Sequence, residues 1–284
     1  MIDTASYRRF FAEEIAAIAG LKTPALIEAL ATVPRERFLR PGPWQVRSEG
    51  DFGAPPRHTP DGDPRHAYHN YAIAIDPARQ LFNGAPGPLT MWIDTLGLQA
   101  GHRVLHIGAG LGYYSALIAH VVGEKGKLVA IEVDESLAAE ARSNLTSTPW
   151  VDLQHGDGTA ALDGAFDAIL VNAGVTHPRE TWLDALTAGG RLLLPLTATM
   201  PAMGSTLGKG FVALLTKAAD GSFGARAMSF VSVYSGVGLR DEALNAQLGA
   251  AMMRSPFPTF SRLRRDPHDA SPSCWLHGPA FCFS

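Results

Sequence analysis

Three glycines at alternate positions follow a short apolar run in residues 104–116, VLHIGAGLGYYSA. A strand that ends in such a turn before a helix is typical of cofactor-binding loops, because the start of the helix presents backbone amides. Gly108, Gly110 and Gly112 are spaced G-x-G-x-G, and Tyr113 stands where a dinucleotide fingerprint has its third glycine. This mismatch argues against a nicotinamide or flavin dinucleotide and disfavours an NAD-dependent dehydrogenase. No Gly-Lys-Ser/Thr follows, which excludes a P-loop.

Two acidic residues follow the next apolar segments. Glu132 ends one of them, at the distance from the glycines where a carboxylate meets a pair of ribose hydroxyls. Asp157, in the stretch His155-Gly156-Asp157-Gly158, could accept a hydrogen bond from an adenine amine, with an ordinary turn residue as the alternative. An adenosine ligand without a phosphate-binding loop favours S-adenosylmethionine as the cofactor.

Alternating strands and helices are predicted to position these residues. Apolar segments at 104–107, 127–133, 151–155, 166–171 and 191–196 alternate with helical patterns at 113–122, 136–145 and 178–186. This order predicts an α/β fold with a doubly wound, mostly parallel sheet. Segments 211–216 and 227–234 are expected to form an antiparallel hairpin at the sheet edge.

The flanking regions are predicted to extend this core. Residues 5–39 form two helices separated at Gly20, and a further helix begins near Pro88. Proline, glycine and aspartate dominate residues 40–66, which we expect to be a surface loop or lid, and residues 71–87 are expected to be a second loop. We therefore divide the chain into a helix-and-lid region (1–98), a cofactor-binding core (99–236) and a C-terminal extension packed on it (237–284).

An ordered series of motifs resembles the protein L-isoaspartate O-methyltransferase family. The series comprises ALATVPRERFL (29–39), VLHIGAGLGYYSA (104–116), Glu132, GDG (156–158), FDAILVNAG (166–174) and GGRLLLPL (189–196). The resemblance implies a class I methyltransferase fold and S-adenosylmethionine as the methyl donor. It implies cofactor contacts at His106, Gly108, Ala109, Gly110, Gly112, Tyr113, Glu132, Val133, Asp157, Gly158, Asn172 and Ala173.

Two positions depart from the family pattern. His106 stands where the family has an acidic residue, and we expect its neutral imidazole to contact the methionine end of the cofactor. Gly84, in Asn83-Gly84-Ala85-Pro86, replaces the serine of a Ser-x-Pro turn that helps to hold the reacting carboxylate. This replacement puts general isoaspartyl repair in doubt but leaves methyl transfer intact.

The acceptor is expected to be a carboxylate of a protein, peptide or small molecule. A carboxylate is ionised at neutral pH and needs no general base, which agrees with the lack of an evident nucleophile–base pair in the sequence. The candidate substrate residues are Arg79, Asn83, Gly84 and Asn172. A non-catalytic S-adenosylmethionine-binding protein and a small-molecule tailoring methyltransferase remain alternatives.

Net charge and the content of cysteine and histidine limit the partners, the redox state and the metal sites that we expect. A net charge of −3 offers no general attraction to nucleic acid or to an anionic membrane, and we expect a cytoplasmic protein. Cys274 and Cys282 do not imply a disulfide framework and are interpreted as reduced thiols. We predict no metal site, because the spacing of His58, His66 and His69 lacks supporting ligands. The oligomeric state stays open.

Overall fold

A computed structural model describes residues 3–48, 54–160, 162–199, 207–255 and 257–284. The helices are α1 (Thr4–Ala19), α2 (Pro24–Thr32), α3 (Pro86–Thr95), α4 (Tyr113–Val122), α5 (Glu135–Asn144), α6 (Glu180–Asp184) and α7 (Glu242–Arg254). The first seven strands are β1 (Gln45–Arg47), β2 (Arg57–His58), β3 (Ala72–Asp76), β4 (Leu81–Phe82), β5 (Arg103–Ile107), β6 (Lys127–Glu132) and β7 (Val151–His155). The remaining strands are β8 (Phe166–Val171), β9 (Leu186–Thr199), β10 (Leu207–Lys217), β11 (Phe223–Tyr234), β12 (Arg262–Arg264), β13 (Leu276–His277) and β14 (Cys282–Phe283).

The chain forms two compact units. The first comprises Met1–His102 and Ala109–His155, and the second comprises Arg103–Gly108 and Gly156–Ser284. The three sequence-based regions 1–98, 99–236 and 237–284 stay a prediction, since these units cut across them. Within the described residues, no helix is both long enough and apolar enough to cross a membrane.

In the first unit, β6 pairs in parallel with β7. Helix α5 follows β6, and the Asp134 carboxylate caps it by accepting a hydrogen bond from the Leu137 amide at 2.9 Å. The N-terminal helices occur as expected: α1 ends at Gly20, whose φ is 61°, and Pro24 opens α2. Helix α3 begins at Pro86, two residues before the expected start.

The two loops expected in this unit contain strands, which corrects the sequence prediction. Strands β1 to β4 form a separate antiparallel sheet in the order β2-β1-β3-β4. Trp44, Val46, Ala67 and Ile73 are buried together beneath it. Strands of two to five residues in a proline- and glycine-rich stretch carry almost no periodic signal, and pairing with distant partners stabilises them. Residues 49–53 of the expected lid lie outside the described residues.

In the second unit, β5, β8 and β9 form a parallel arrangement in which β8 is central. An antiparallel series continues from β9 through β10, β11, β12 and β14 to β13. The expected hairpin is confirmed as β10 and β11, and it extends beyond the predicted ends. Its predicted position at the sheet edge is wrong, because β12 pairs with β11. Strand β9 begins at Leu186, so the expected helix at 178–186 is reduced to the short α6.

Aromatic side chains attach the C-terminal tail to the second unit. The ring of Phe260 lies 4.7 Å from Phe283 and 5.5 Å from Trp275, and Trp275 contacts Phe211 of β10 at 5.2 Å. Rings at these separations bury large apolar areas and favour tilted or edge contacts. Within this unit the tail therefore packs against β10 through aromatic contacts, while the predicted division that begins an extension at residue 237 stays a prediction.

Candidate active site

The glycine loop of the first unit is held at the end of β6. The Ala109 amide donates to the Ile131 carbonyl at 3.2 Å, and the Gly112 amide donates to the Ala109 carbonyl at 3.0 Å. Gly112 has a φ of 95°, and a Cβ there would lie 3.0 Å from Leu145. Glycine is favoured at this position because the left-handed backbone strains any residue with a side chain, and a Cβ would also crowd Leu145. Helix α4 therefore begins directly at the loop, with no side-chain cap on its first turn.

Glu132 fixes the same loop through its carboxylate. Its Oε2 accepts a hydrogen bond from the Gly110 amide at 2.7 Å, and its Oε1 accepts one from the Asp134 amide at 3.1 Å. The side chain is buried, and burial raises the pKa of Glu132, while the backbone hydrogen bonds act to lower it. Each oxygen keeps a further lone pair, so the carboxylate can still accept hydrogen bonds from a vicinal diol.

Val133 gives an apolar surface next to this carboxylate. Its side chain is 41% exposed, and its carbonyl accepts a hydrogen bond from His155 Nε2 at 3.2 Å. An exposed branched side chain beside the Glu132 carboxylate suits contact with a flat apolar face of a ligand.

Tyr113 does not offer its side chain to a ligand. The ring is buried, lies 5.8 Å from Phe38, and has the Arg35 guanidinium 5.7 Å above it. Burial also raises the pKa of the phenol. A cofactor contact at this position would involve the main chain at the start of α4.

In the second unit, His106 lies within β5, opposite Leu170 of β8. It is completely buried, and burial lowers the pKa of its imidazole to about 4. The ring is therefore neutral at physiological pH, as the expected role requires. Contact with a ligand would require neighbouring side chains to move, so that role stays a prediction.

The ends of β5 and β8 meet in the second unit at Gly108 and Asn172. The Asn172 amide donates to the Ile107 carbonyl at 2.8 Å, and its Nδ2 lies 3.5 Å from the Gly108 carbonyl. A Cβ at Gly108, where φ is 84°, would lie 3.1 Å from the Asn172 carbonyl oxygen. Asn172 and Ala173 are partly exposed beside this close approach.

Asp157 forms a turn with Thr159. The Thr159 amide and hydroxyl donate to its two carboxylate oxygens at 2.9 and 2.6 Å, and these bonds lower the pKa of Asp157. A Cβ on Gly158 would lie 2.5 Å from Ile107, and the Gly158 carbonyl accepts a hydrogen bond from Trp182. Asp157 is thus ionised and fixed, with lone pairs left for a ligand amine.

The turn at Gly84 lies in the first unit. Gly84 has a φ of 77°, and a Cβ there would lie 3.0 Å from Leu89 of α3. Its carbonyl accepts a hydrogen bond from the Tyr114 hydroxyl at 3.0 Å, which connects the turn to α4. Asn83 Oδ1 accepts from the Ile73 amide at 2.9 Å, whereas the buried Asn83 Nδ2 has no hydrogen-bond partner among the described residues.

Arg79 is already engaged by carboxylates. Its Nε donates to Asp76 and its Nη1 donates to Asp134, both at 2.6 Å. These ion pairs connect the β3–β4 turn to the start of α5. An acceptor carboxylate would have to displace one of them, so Arg79 is a weaker candidate for substrate binding than Asn83.

Sequence reasoning missed Arg35 as a positioning residue. This side chain is completely buried and donates to the carbonyls of Ala67, His69 and Tyr71 at 2.8 to 3.0 Å. The segment it holds includes Asn70, whose Oδ1 accepts from the Gly87 amide at 2.8 Å in the first turn of α3. The motif Val33-Pro34-Arg35-Glu36 by itself indicates only a helix signature, and the distance along the chain to residues 67–71 conceals its contacts.

Two solved structures have the same fold as this chain. One, a protein-L-isoaspartate O-methyltransferase, is similar with a TM-score of 0.61 at 22% identity, covering 89% of this chain and 72% of that one. Another, a putative enzyme of the same kind from Plasmodium falciparum in complex with S-adenosyl-L-homocysteine, is similar with a TM-score of 0.60 at 15% identity, covering 80% and 97%. The chain has the Rossmann-like fold of class I S-adenosylmethionine-dependent methyltransferases, which confirms the predicted fold class.

Sequence similarity identifies the family. The model of the protein-L-isoaspartate (D-aspartate) O-methyltransferase family matches residues 57–211, a little over half of the chain. The protein-L-isoaspartate O-methyltransferase of Rhodopseudomonas palustris strain BisB5 is 31% identical over 62% of this chain and 72% of its own length. The chain belongs to this family. It is an S-adenosylmethionine-dependent O-methyltransferase, and the predicted activity and cofactor are confirmed.

Proposed function

We propose that this chain methylates a carboxylate of a peptide or protein of the isoaspartyl type, with an acceptor range narrowed by the Gly84 turn. Family membership supports carboxyl methylation. The observation that carries the narrower range is the geometry of Gly84, whose left-handed backbone forms the turn without a hydroxyl group and whose position leaves little room for a side chain beside Leu89.

The residues of the first unit fit the cofactor. Glu132 has unused acceptor capacity for the ribose hydroxyls, Val133 offers an apolar face for the adenine, and Gly110 is held in position by Glu132. When bound, S-adenosylmethionine supplies a methyl group that its sulfonium makes electrophilic. The further cofactor contacts that we propose on the resemblance are His106, Gly108, Ala109, Gly112, Tyr113, Asp157, Gly158, Asn172 and Ala173.

The chain's contribution to the reaction is positioning. Displacement at a methyl group requires the attacking oxygen in line with the leaving sulfur, and holding the two in place can supply much of the rate enhancement. The acceptor carboxylate is ionised at neutral pH, so no residue has to remove a proton. This agrees with His106, the histidine of the expected site, being buried and neutral.

Asn83 is the proposed donor to the acceptor carboxylate. A buried amide group without a partner costs roughly 1–3 kcal/mol, which an acceptor oxygen at Nδ2 would offset. The Tyr114 hydroxyl holds the adjacent Gly84 carbonyl and so fixes the turn that carries Asn83.

The test supplies S-adenosylmethionine carrying a radiolabelled methyl group, with an isoaspartyl peptide and the same sequence containing ordinary aspartate. Carboxyl methyl esters hydrolyse in alkali and release volatile methanol, whereas methylated nitrogen or a methyl ether does not. The proposal predicts alkali-labile label on the isoaspartyl peptide, or on another peptide carboxylate in a wider screen. Alkali-stable label would contradict it, and cofactor binding without any transfer would favour a non-catalytic binding protein.

A further inference from the structure

Four side chains of the C-terminal tail converge at one point. Among the described residues, His268, Cys274, His277 and Cys282 each place one potential ligand atom so that all four atoms lie within 4.8 Å of one another. Their spacing is His-x5-Cys-x2-His-x4-Cys. None of the four belongs to the motifs that define the family resemblance, and methyl transfer has no use for them.

The backbone of the tail fixes three of these residues. His277 of β13 lies directly opposite Cys282 of β14, and the Gly278 amide donates to the Phe281 carbonyl at 2.8 Å to close the turn between them. The Cys274 amide donates to the Ser271 carbonyl at 2.9 Å in a second turn. The convergence therefore rests on a hairpin and a turn, with hydrogen bonds at both.

The hydrogen bonds around His268 and Cys274 resemble those that usually orient metal ligands. His268 Nδ1 lies 2.7 Å from the Asp266 carbonyl, to which it can donate, and this leaves Nε2 at 3.8 Å from Cys274 Sγ. The Ser271 amide donates to that sulfur at 3.4 Å. Histidines that bind metals usually donate their second ring nitrogen to a carbonyl or carboxylate, which orients the ring.

His277 completes the set. Its ring centroid lies 4.8 Å from that of His268 at an angle of 79°, and its buried Nδ1 has no hydrogen-bond partner among the described residues. His268 and His277 also line an open cleft of about 490 Å³ together with Asp266 and Phe281. An ion could therefore reach the cluster from solvent.

We propose that His268, Cys274, His277 and Cys282 bind one structural zinc ion. In a tetrahedral zinc site the bonds are about 2.3 Å to sulfur and 2.0–2.1 Å to nitrogen, which separates the ligand atoms by roughly 3.3–3.8 Å. The 3.8 Å between Cys274 and His268 already has this value, and contraction by about 1 Å would complete the site. Two thiolates and two imidazoles suit zinc, and four protein ligands leave no position open for catalysis.

The ion would anchor the tail to the second unit. Trp275 and Phe283 are adjacent to ligands, and both rings contact Phe260 in the aromatic cluster. A segment with so short a hairpin and so few buried residues usually needs a disulfide or a bound metal ion to be stable. A disulfide between the two cysteines is the competing crosslink, but it would give no role to the two converging imidazoles.

The full chain, purified under reducing conditions, provides the test. Elemental analysis should find one zinc ion per chain in the wild type and in the control His120→Ala, whose histidine is exposed at the end of α4. Cys274→Ser and His277→Ala should lose most of the zinc, and chelation should lower the unfolding temperature of the wild type and of the control but not of these two variants. Exchange of zinc for cobalt(II) should give thiolate-to-cobalt charge-transfer absorption and the strong visible bands of a tetrahedral site.

The cobalt spectrum keeps the proposal falsifiable if a variant does not fold, because it is measured on the wild type. Wild-type chain with far less than one zinc per chain would overturn the proposal. So would a spectrum without thiolate charge transfer, or a Cys274–Cys282 disulfide that forms in place of metal binding. Undiminished zinc in a folded Cys274→Ser variant would also overturn it.

Discussion

The Glu132 carboxylate accepts a hydrogen bond from the Gly110 amide at 2.7 Å. One side chain thus both sets the glycine loop and is the proposed acceptor for the ribose of the cofactor. Because the two functions share one carboxylate, its charge should control cofactor affinity.

Replacing this charge by an amide should weaken cofactor binding. A hydrogen bond to a charged group contributes about 1.5–3 kcal/mol, so Glu132→Gln should reduce the affinity for S-adenosylhomocysteine roughly tenfold to a hundredfold. Titration calorimetry measures this directly. Asp152→Asn in the neighbouring β7 is the matched control, because it makes the same change from carboxylate to amide. The Asp152 side chain accepts a hydrogen bond from the Gln154 side chain, and Asp152 is distant from the glycine loop in the sequence. Unchanged affinity in a folded Glu132→Gln variant would refute the ribose assignment.

Cofactor affinity should depend on pH through the same group. The ionised carboxylate is the binding form, so affinity is held above the pKa of Glu132 and lost as the pH falls through it. Because burial raises this pKa, the loss should begin at a higher pH than for an exposed glutamate. The measurement is the S-adenosylhomocysteine dissociation constant between neutral pH and the acid limit of folding. Glu132→Gln should flatten the profile, and the same slope in that variant would assign the titration to another group.

Asn83→Asp tests the proposed acceptor donor with little change in shape. The variant keeps an oxygen for the Ile73 amide but replaces the unused Nδ2 donor with a charge that repels a carboxylate. Steady-state kinetics should show a KM for the acceptor raised by roughly tenfold or more, while the dissociation constant of the cofactor is unchanged. If the affinity for the cofactor fell by as much as the acceptor KM rose, Asn83 would instead be a residue that stabilises the turn.

Restoring the family serine at Gly84 should destabilise this chain. A left-handed residue with a side chain costs about 1–2 kcal/mol, and the contact with Leu89 adds to that cost. Gly20→Ser is the matched control, since Gly20 has a φ of 61° and a Cβ added there would meet nothing within 4 Å. Urea denaturation should show a larger loss for Gly84→Ser than for Gly20→Ser. Equal losses of unfolding free energy in the two variants would show that crowding against Leu89 does not contribute to the destabilisation.

Arg35 should be essential for stability rather than chemistry. Arg35→Met removes three hydrogen bonds to carbonyls, of which the His69 carbonyl keeps the Tyr71 amide as a donor, and it should lower the free energy of unfolding by about 3 kcal/mol or more. Arg37→Met, two residues away and exposed, should change it by less than about 0.5 kcal/mol. Chemical denaturation of the two variants under one set of conditions measures the difference. A small effect at Arg35 would mean that residues 67–71 are held by other contacts.

The periodic part of the chain is predictable from sequence. The core strands β5 to β8 and the helices α4 and α5 have regular apolar spacing, and their bounds differ from expectation by a residue or so. Strands β1 to β4 escape prediction because strands of two to five residues depend on partners far along the chain. The contacts of Arg35 are hidden for the same reason, since the sequence does not show which carbonyls a buried arginine will meet.

Residue types alone predict which side chains belong to the candidate site, but they do not show which hydrogen bonds and ion pairs each side chain makes. The sequence places Arg79 beside a possible acceptor, whereas the structure pairs it with Asp76 and Asp134. The cysteines and histidines of the tail are spaced too irregularly for a familiar zinc motif, and the β13–β14 hairpin and the turn at Cys274 bring them together.

The most direct test of the account is methyl transfer to an isoaspartyl peptide by the wild type, Glu132→Gln and Asp152→Asn in parallel. We predict an alkali-labile methyl ester from the wild type and from Asp152→Asn, and ester formation by Glu132→Gln only at much higher S-adenosylmethionine concentration. Label that survives alkali, or equal dependence on S-adenosylmethionine in all three proteins, would contradict a carboxyl methyltransferase whose cofactor is held by Glu132.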